Sequence, residues 1–200
     1  MSLPYLFRSL VSLLLVVGVT APVLAGEPTE QIKQTTDKIF SIVKDPALKG
    51  SSKAQERRRS IHKAVDERFD WGEMARRSLG RYWVQRTAEE KKEFVHLFSE
   101  LVERAYMSKV EDYSGEKVQY EGEPIDGDYA VVKVNIITQK NRDISVDYRL
   151  QKEGNEWRVY DVSIEGVSLV NNYRTQFNSI ILQSSYENLL TRLKVKVARE

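Results

Sequence analysis

Apolar residues recur at steps of three and four up to Tyr113, at steps of two from Glu116 to Ile164, and at steps of three and four again past Gly166. A period near 3.6 belongs to a helix with one buried face and a period of 2 to a strand with one buried face. The chain must therefore build helices, then a sheet, then helices. Thr87 to Tyr113 carries Phe94, Leu97, Phe98, Leu101, Val102, Ala105 and Tyr106 at helical steps. The capping box Thr87-Ala88-Glu89-Glu90 opens this helix and Ser114-Gly115 closes it.

The sheet segment reads as a meander. Val118 and Tyr120 start a short strand, and Asp126-Gly127 is a hairpin turn signal. Asp128 to Thr138 places Ala130, Val132, Val134 and Ile136 on one face. After the turn Gln139 to Arg142, Ile144, Val146, Tyr148 and Leu150 alternate with Ser145, Asp147, Arg149 and Gln151, so one face is buried and the other wet. Glu153-Gly154-Asn155 turns into a last strand whose parity switches. Trp157 and Val159 share one parity, and Tyr160, Val162 and Ile164 the other, which predicts a bulge or strong twist near Val159-Tyr160 and a curved sheet.

Three helices precede the long one. Thr29 to Val43 is amphipathic through Ile32, Thr36, Ile39, Phe40 and Val43, and Asp45-Pro46 stops it. Ser52 to Arg68 has only the late apolar positions Ile61, Ala64 and Val65. Asp70 caps a short helix, with Glu73 in position to complete a second capping box. Past Gly166, Tyr173, Phe177, Ile180 and Ile181 mark a helix, and Leu189, Leu190 and Leu193 another beyond Ser184-Ser185. The order fits an α+β fold: a curved antiparallel sheet of about four strands packed against several helices on one face, with an apolar pocket between them.

Arg8, the apolar run Leu10 to Val19 and Ala21-Pro22-Val23-Leu24-Ala25 form an export signal, with cleavage expected after Ala25. The run falls short of the roughly 20 apolar residues that span a bilayer. Residues 26–200 then form one domain. The charged residues are 31 basic and 29 acidic, and the leader removes only Arg8. A balance so close to neutral argues against a nucleic-acid partner. Lys53, Arg57, Arg58, Arg59 and Lys63 form one local basic run, either a solvated helix face or a docking patch for acidic lipid or protein.

Catalytic apparatus is sparse. The chain has no cysteine, so thiol chemistry and disulfides are excluded. His62 and His96 read as solvated, and neither belongs to a spacing typical of a metal site. Glycines occur singly, so no phosphate-cradling loop is present. Asp161 or Glu165 could serve as a general acid in a cleft, and the plainer reading is polar strand and loop surface. The aromatic residues are equally open to two readings, as core or as pocket wall.

Several blocks together resemble the MlaC family of toluene-tolerance proteins. They are Phe69-Asp70-Trp71, Met74-Ala75-Arg76, Leu79-Gly80-Arg81-Tyr82-Trp83, Tyr113 to Val118, Val146 to Leu150, Trp157 to Val162, Gly166 to Leu169 and Asn172 to Phe177. The resemblance implies a periplasmic phospholipid carrier with no cofactor and with phospholipid as cargo. Its implied partners are an outer-membrane lipoprotein complex and the inner-membrane MCE-domain subunit of an ABC transporter. A monomer without enzymatic activity is expected. The acyl site is expected between the sheet's apolar face and the helices containing Phe94 and Tyr173. Its candidate helical residues are Trp71, Met74, Leu79, Tyr82, Trp83, Phe94, Phe98, Leu101, Tyr106, Leu169, Val170, Tyr173, Phe177 and Ile181. From the sheet come Val132, Val134, Ile136, Val146, Tyr148, Leu150, Tyr160, Val162 and Ile164, and from the junction past Gly166 comes Val167. The rival readings are an envelope lipid-modifying enzyme and a protein-only periplasmic adaptor.

Overall fold

The computed structural model describes residues 26–139 and 142–199. The expected leader, residues 1–25, and the centre of the Gln139 to Arg142 turn lie outside them. Four helices come first: α1 (Glu27–Lys44), α2 (Ala54–Asp66), α3 (Trp71–Leu79) and α4 (Ala88–Glu111). The strands β1 (Lys117–Gly122), β2 (Ile125–Asp126), β3 (Tyr129–Ile137), β4 (Asp143–Glu153), β5 (Glu156–Ile164) and β6 (Val167–Ser168) follow, and α5 (Leu169–Gln183) and α6 (Tyr186–Arg199) complete the chain. The sheet is antiparallel in the order β1-β3-β4-β5-β6, with β2 also on β3. Four strands are long, as expected, and two are two-residue additions that the periodicity did not mark.

Local chemistry sets the boundaries. At α4 both halves of the capping box form: Glu90 N–H donates to Thr87 Oγ1 at 3.2 Å and Thr87 N–H to Glu90 Oε2 at 2.8 Å. At α3 only half forms. Asp70 Oδ1 accepts from the Glu73 N–H at 2.9 Å, but the Asp70 N–H is already donated to the Val159 carbonyl. Glu73 is thereby released to bind Arg76 and Arg77. A short parallel bridge between Phe69 and Val159 thus overrides the expected reciprocal box.

The parity switch in β5 is a bulge. Arg149 faces Asp161 and Leu150 faces Val159, which leaves Tyr160 as the extra residue. Val159 consequently shares a face with Val162 and Ile164, and Tyr160 leaves it. A second bulge falls between Tyr120 and Gly122 of β1. Glu165 and Gly166 join β5 to β6 with φ of 49° and 79°, the doubly left-handed backbone of a two-residue hairpin that follows the sheet's twist.

Ala130, Val132, Val134, Val146, Leu150, Trp157, Val159 and Val162 are buried in one cluster with Ile32, Met74, Leu79, Phe94, Phe98 and Phe177 from the helices. Each such large side chain contributes about 1.5–3 kcal/mol by leaving water. Tyr129, Lys133 and Ser145, of the opposite parity, are exposed. Helix α4 packs on α3 and α6 more than on any strand, whereas α1 and α5 reach the sheet directly.

The basic run is not free. Arg57 Nη2 and Arg58 Nη2 converge on Glu111 at 2.7 and 3.0 Å, and Arg57 Nη1 also donates to the Leu48 carbonyl. Two of its five cations therefore clamp α2 to the end of α4. No helix among the described residues is long and apolar enough to cross a membrane.

Candidate lipid-binding site

The inner face of the sheet has two zones. Across one end run Ala130, Val132, Leu150, Trp157 and Val159, all 3% exposed or less. At the other end, register places Val118, Ile136 and Ile144 in one row, with Val146 and Ile164 in the next. Of these only Val146 is buried; Val118, Ile136, Ile144 and Ile164 keep accessible apolar surface. The row Val118, Ile136 and Ile144, with Ile164 at the end of the next, thus leaves apolar surface accessible at one edge of a core that is closed elsewhere, a surface suited to receive an apolar guest.

Tyrosines ring this region. Tyr148 is only half-buried, yet loss of water pushes its phenol up to about 12, with Tyr120 beside it adding to the shift. Burial likewise raises Tyr120, Tyr106 and Tyr173, and the Tyr106 hydroxyl contributes to the shift of Tyr173. All four remain neutral at physiological pH, as an apolar lining requires. Tyr106 from α4 and Tyr173 from α5 stand close together, supported by aromatic packing. Tyr173 meets Phe98 edge-on at 5.5 Å and stacks on Phe177 at 5.6 Å.

Most candidate residues belong to the shared core rather than to the open end alone. Met74, Leu79, Phe94, Phe98, Leu101, Val132, Val134, Val146, Leu150, Val162, Leu169, Val170 and Phe177 are buried in the shared core, and Tyr106, Ile136, Tyr148, Ile164, Tyr173 and Ile181 pack half-buried against it. Trp71, Tyr82 and Trp83 sit on its rim. Trp71 donates to Asp66 Oδ1 at 2.7 Å, and Tyr82 donates to Asn178 Oδ1 at 3.2 Å. Two candidates lie elsewhere. The bulge turns Tyr160 outward, where it meets Tyr129 edge-on and carries the Arg77 guanidinium 4.1 Å from its ring centre. Val167 is 58% exposed because β6 pairs on one side only. Val118, Tyr120 and Ile144, which the alternation put on the correct face, complete the open rows.

The acids offer no free catalytic group at this position. Asp161 is buried, but Arg149 Nη1 donates to its Oδ2 at 2.8 Å, Ser168 Oγ to the same atom at 2.6 Å and Val170 N–H to Oδ1 at 3.1 Å. Both oxygens are hydrogen-bonded, so it fastens β5 to α5. Glu165 is exposed and paired with Arg142 at 3.0 Å.

His62 departs from the solvated reading. Its Nδ1 meets Glu103 Oε2 across the α2–α4 interface, and its Nε2 lies 3.3 Å from Asp66 Oδ2. Glu103 is raised by burial, and His62, despite a desolvation penalty, is raised by Glu103 and Asp66. One ligand atom from each of His62, Asp66 and Glu103 lies within 4.8 Å of the others, a grouping the linear spacing concealed. Because the ring nitrogens point to different carboxylates and Trp71 holds Asp66, the set is a hydrogen-bonded clamp of α2, α3 and α4.

A bulged antiparallel sheet covered by helices over an apolar core, with accessible apolar residues at one end, defines the α+β class of this chain. The chain belongs to the MlaC family: the family model described as "MlaC protein" matches residues 33–195. It is 26% identical over 172 residues to the intermembrane phospholipid transport system binding protein MlaC of Haemophilus influenzae, covering 84% of this chain and 80% of that one. Its fold matches a phospholipid-binding protein from Ralstonia solanacearum solved in complex with a phospholipid, with a TM-score of 0.78 and 25% identity. That match covers 87% of this chain and 98% of the other.

Proposed function

We propose that this protein is a periplasmic phospholipid carrier, exported by a cleaved leader spanning residues 1–25. The observation that carries the reading is the accessible apolar end of the sheet, Val118, Ile136, Ile144 and Ile164, with the neutral phenols of Tyr120 and Tyr148 on the same face. The acyl chains lie between these rows and the Phe98–Phe177 cluster, with the head group toward the open edge. Each methylene shielded from water is worth about 0.8 kcal/mol, so a diacyl lipid cannot cross an aqueous space alone. A move from bilayer to apolar interior removes most of that barrier and needs neither nucleophile nor metal.

The family relationship supports a place between two membranes. The carrier would take lipid from, or deliver it to, an outer-membrane lipoprotein complex and the MCE-domain subunit of an inner-membrane ABC transporter, acting as a monomer and not as an enzyme. Transfer of a fluorescent phospholipid between two vesicle populations tests this. Saturable acceleration by the protein is expected. Failure to accelerate transfer, with no lipid bound to the protein, would overturn the proposal.

A further inference from the structure

A second concavity, of about 370 Å³, lies between α5 and the 3₁₀ turn Gly80–Gln85 that follows α3. Gly80, Arg81, Tyr82, Arg174, Thr175 and Asn178 line it, and no carboxylate does. Among the described residues neither Arg81 nor Arg174 has a salt-bridge partner, whereas their neighbours Arg76, Arg77 and Arg149 are all committed to acids. Two uncompensated guanidinium groups therefore share one concave site with a hydroxyl and a side-chain amide.

The arrangement is built. Gly80 has a φ of 58° and a ψ of −129°, a backbone open to glycine alone. A Cβ there would stand 3.0 Å from Arg174 Nε. The missing side chain lets Arg174 lie across the carbonyl end of α3, where the helix dipole favours a cation. On the other wall Arg81 Nη2 donates to Tyr82 Oη at 3.0 Å and Tyr82 Oη to Asn178 Oδ1 at 3.2 Å. That chain of bonds ties Arg81 to Tyr82 and occupies the Asn178 amide oxygen, which leaves its nitrogen as the donor. A second cleft beside it, also touching Arg174, contains Asp161 and has its other arginines neutralised.

We propose that Arg81 and Arg174 form a binding site for a phosphate group. Paired guanidinium forks with a side-chain amide donor match a tetrahedral oxyanion. The cleft's volume lies near the lower end of ligand pockets, roughly 300–1,000 Å³, so it holds a phosphorylated head group as well as a free ion. The site lies on the helical row next to Tyr173 and Phe177, and the proposal does not require that acyl chains bind there.

The test follows the arginine Nε–Hε resonances of the purified protein by NMR during titration with inorganic phosphate. Saturable shifts are expected at two resonances, assigned by their loss in Arg81→Gln and Arg174→Gln. Each variant should weaken phosphate binding about tenfold, while Arg59→Gln, on exposed α2 surface, should not. Should Arg174→Gln fail to fold, exposed Arg81 still carries the test. Repeating the titration on protein saturated with phospholipid separates the sources. Blocked phosphate shifts place the cargo's head group in the cleft, and unchanged shifts assign it to free phosphate. Absence of saturable shifts in both lipid-loaded and lipid-depleted protein would overturn the site, as would equal weakening by Arg59→Gln. A response to a poly-glutamate peptide but not to phosphate would make the cleft a docking point for acidic protein and overturn the phosphate assignment.

Discussion

The Ser168 hydroxyl donates to Asp161 Oδ2 at 2.6 Å and accepts from the Asn171 N–H at 3.1 Å, so the residue that caps α5 is fastened to the strand before it. The junction between sheet and helix at the open end of the interior is thereby rigid. Arg149, from β4, binds the same carboxylate oxygen.

Replacing Asp161 by Ala should strand the Val170 N–H and leave Arg149 without its partner. A loss of about 2–3 kcal/mol is expected, below the full cost of breaking a buried pair because Arg149 is partly solvated. Urea unfolding measures it. A loss near zero would show that the junction is held by other contacts.

The two zones of the sheet should respond differently to substitution. Leu150→Ala, in the closed zone, should cost about 2–5 kcal/mol. Ile144→Lys, on the open row, should leave the unfolding midpoint nearly unchanged and reduce the phospholipid recovered with the protein. Equal effects of Ile144→Lys on folding and loading would make the open row ordinary core.

The His62–Glu103 pair makes stability depend on pH. The folded pKa of His62 is raised above its ordinary value, so the stabilisation is full below that value and is lost as pH climbs through the raised one. Glu103 is also raised, by burial, and its contribution has the same sign. The melting temperature of the wild type should therefore fall as pH rises through about 7, where Glu103 titrates, and on through the raised value of His62. The double replacement of His62 and Glu103 by Gln should flatten that fall, and a fall of equal size in both proteins would contradict the clamp.

Gly80→Ala should destabilise by about 1–2 kcal/mol, from the left-handed backbone and the contact with Arg174. Thermal unfolding would reveal it. An unchanged midpoint would show that the turn relaxes freely.

The sheet's face was legible because it is written in local alternation. Val146, Tyr148 and Leu150 could occupy only one side, and the switch at Val159 and Tyr160 required an extra residue. Parity alone could not say which residue would be expelled. The strand partner on β4 and the Arg77 cation waiting outside decided for Tyr160. Nor could alternation separate Val134 from Ile136, since both point inward and only the tertiary packing buries the first and leaves the second half-buried. The His62–Glu103 clamp spans 41 positions, and no periodic signal reaches that far. Charge patterning misled for the same reason: Arg57 and Arg58 look like a surface stripe until α4 brings Glu111 to them.

Native mass spectrometry of the protein purified without detergent, followed by lipid extraction, tests the carrier reading most directly. The apolar interior with an open end predicts a phospholipid adduct in stoichiometric amount, reduced by Ile144→Lys. Folded protein that is consistently free of lipid, and that takes none up from vesicles, would contradict it.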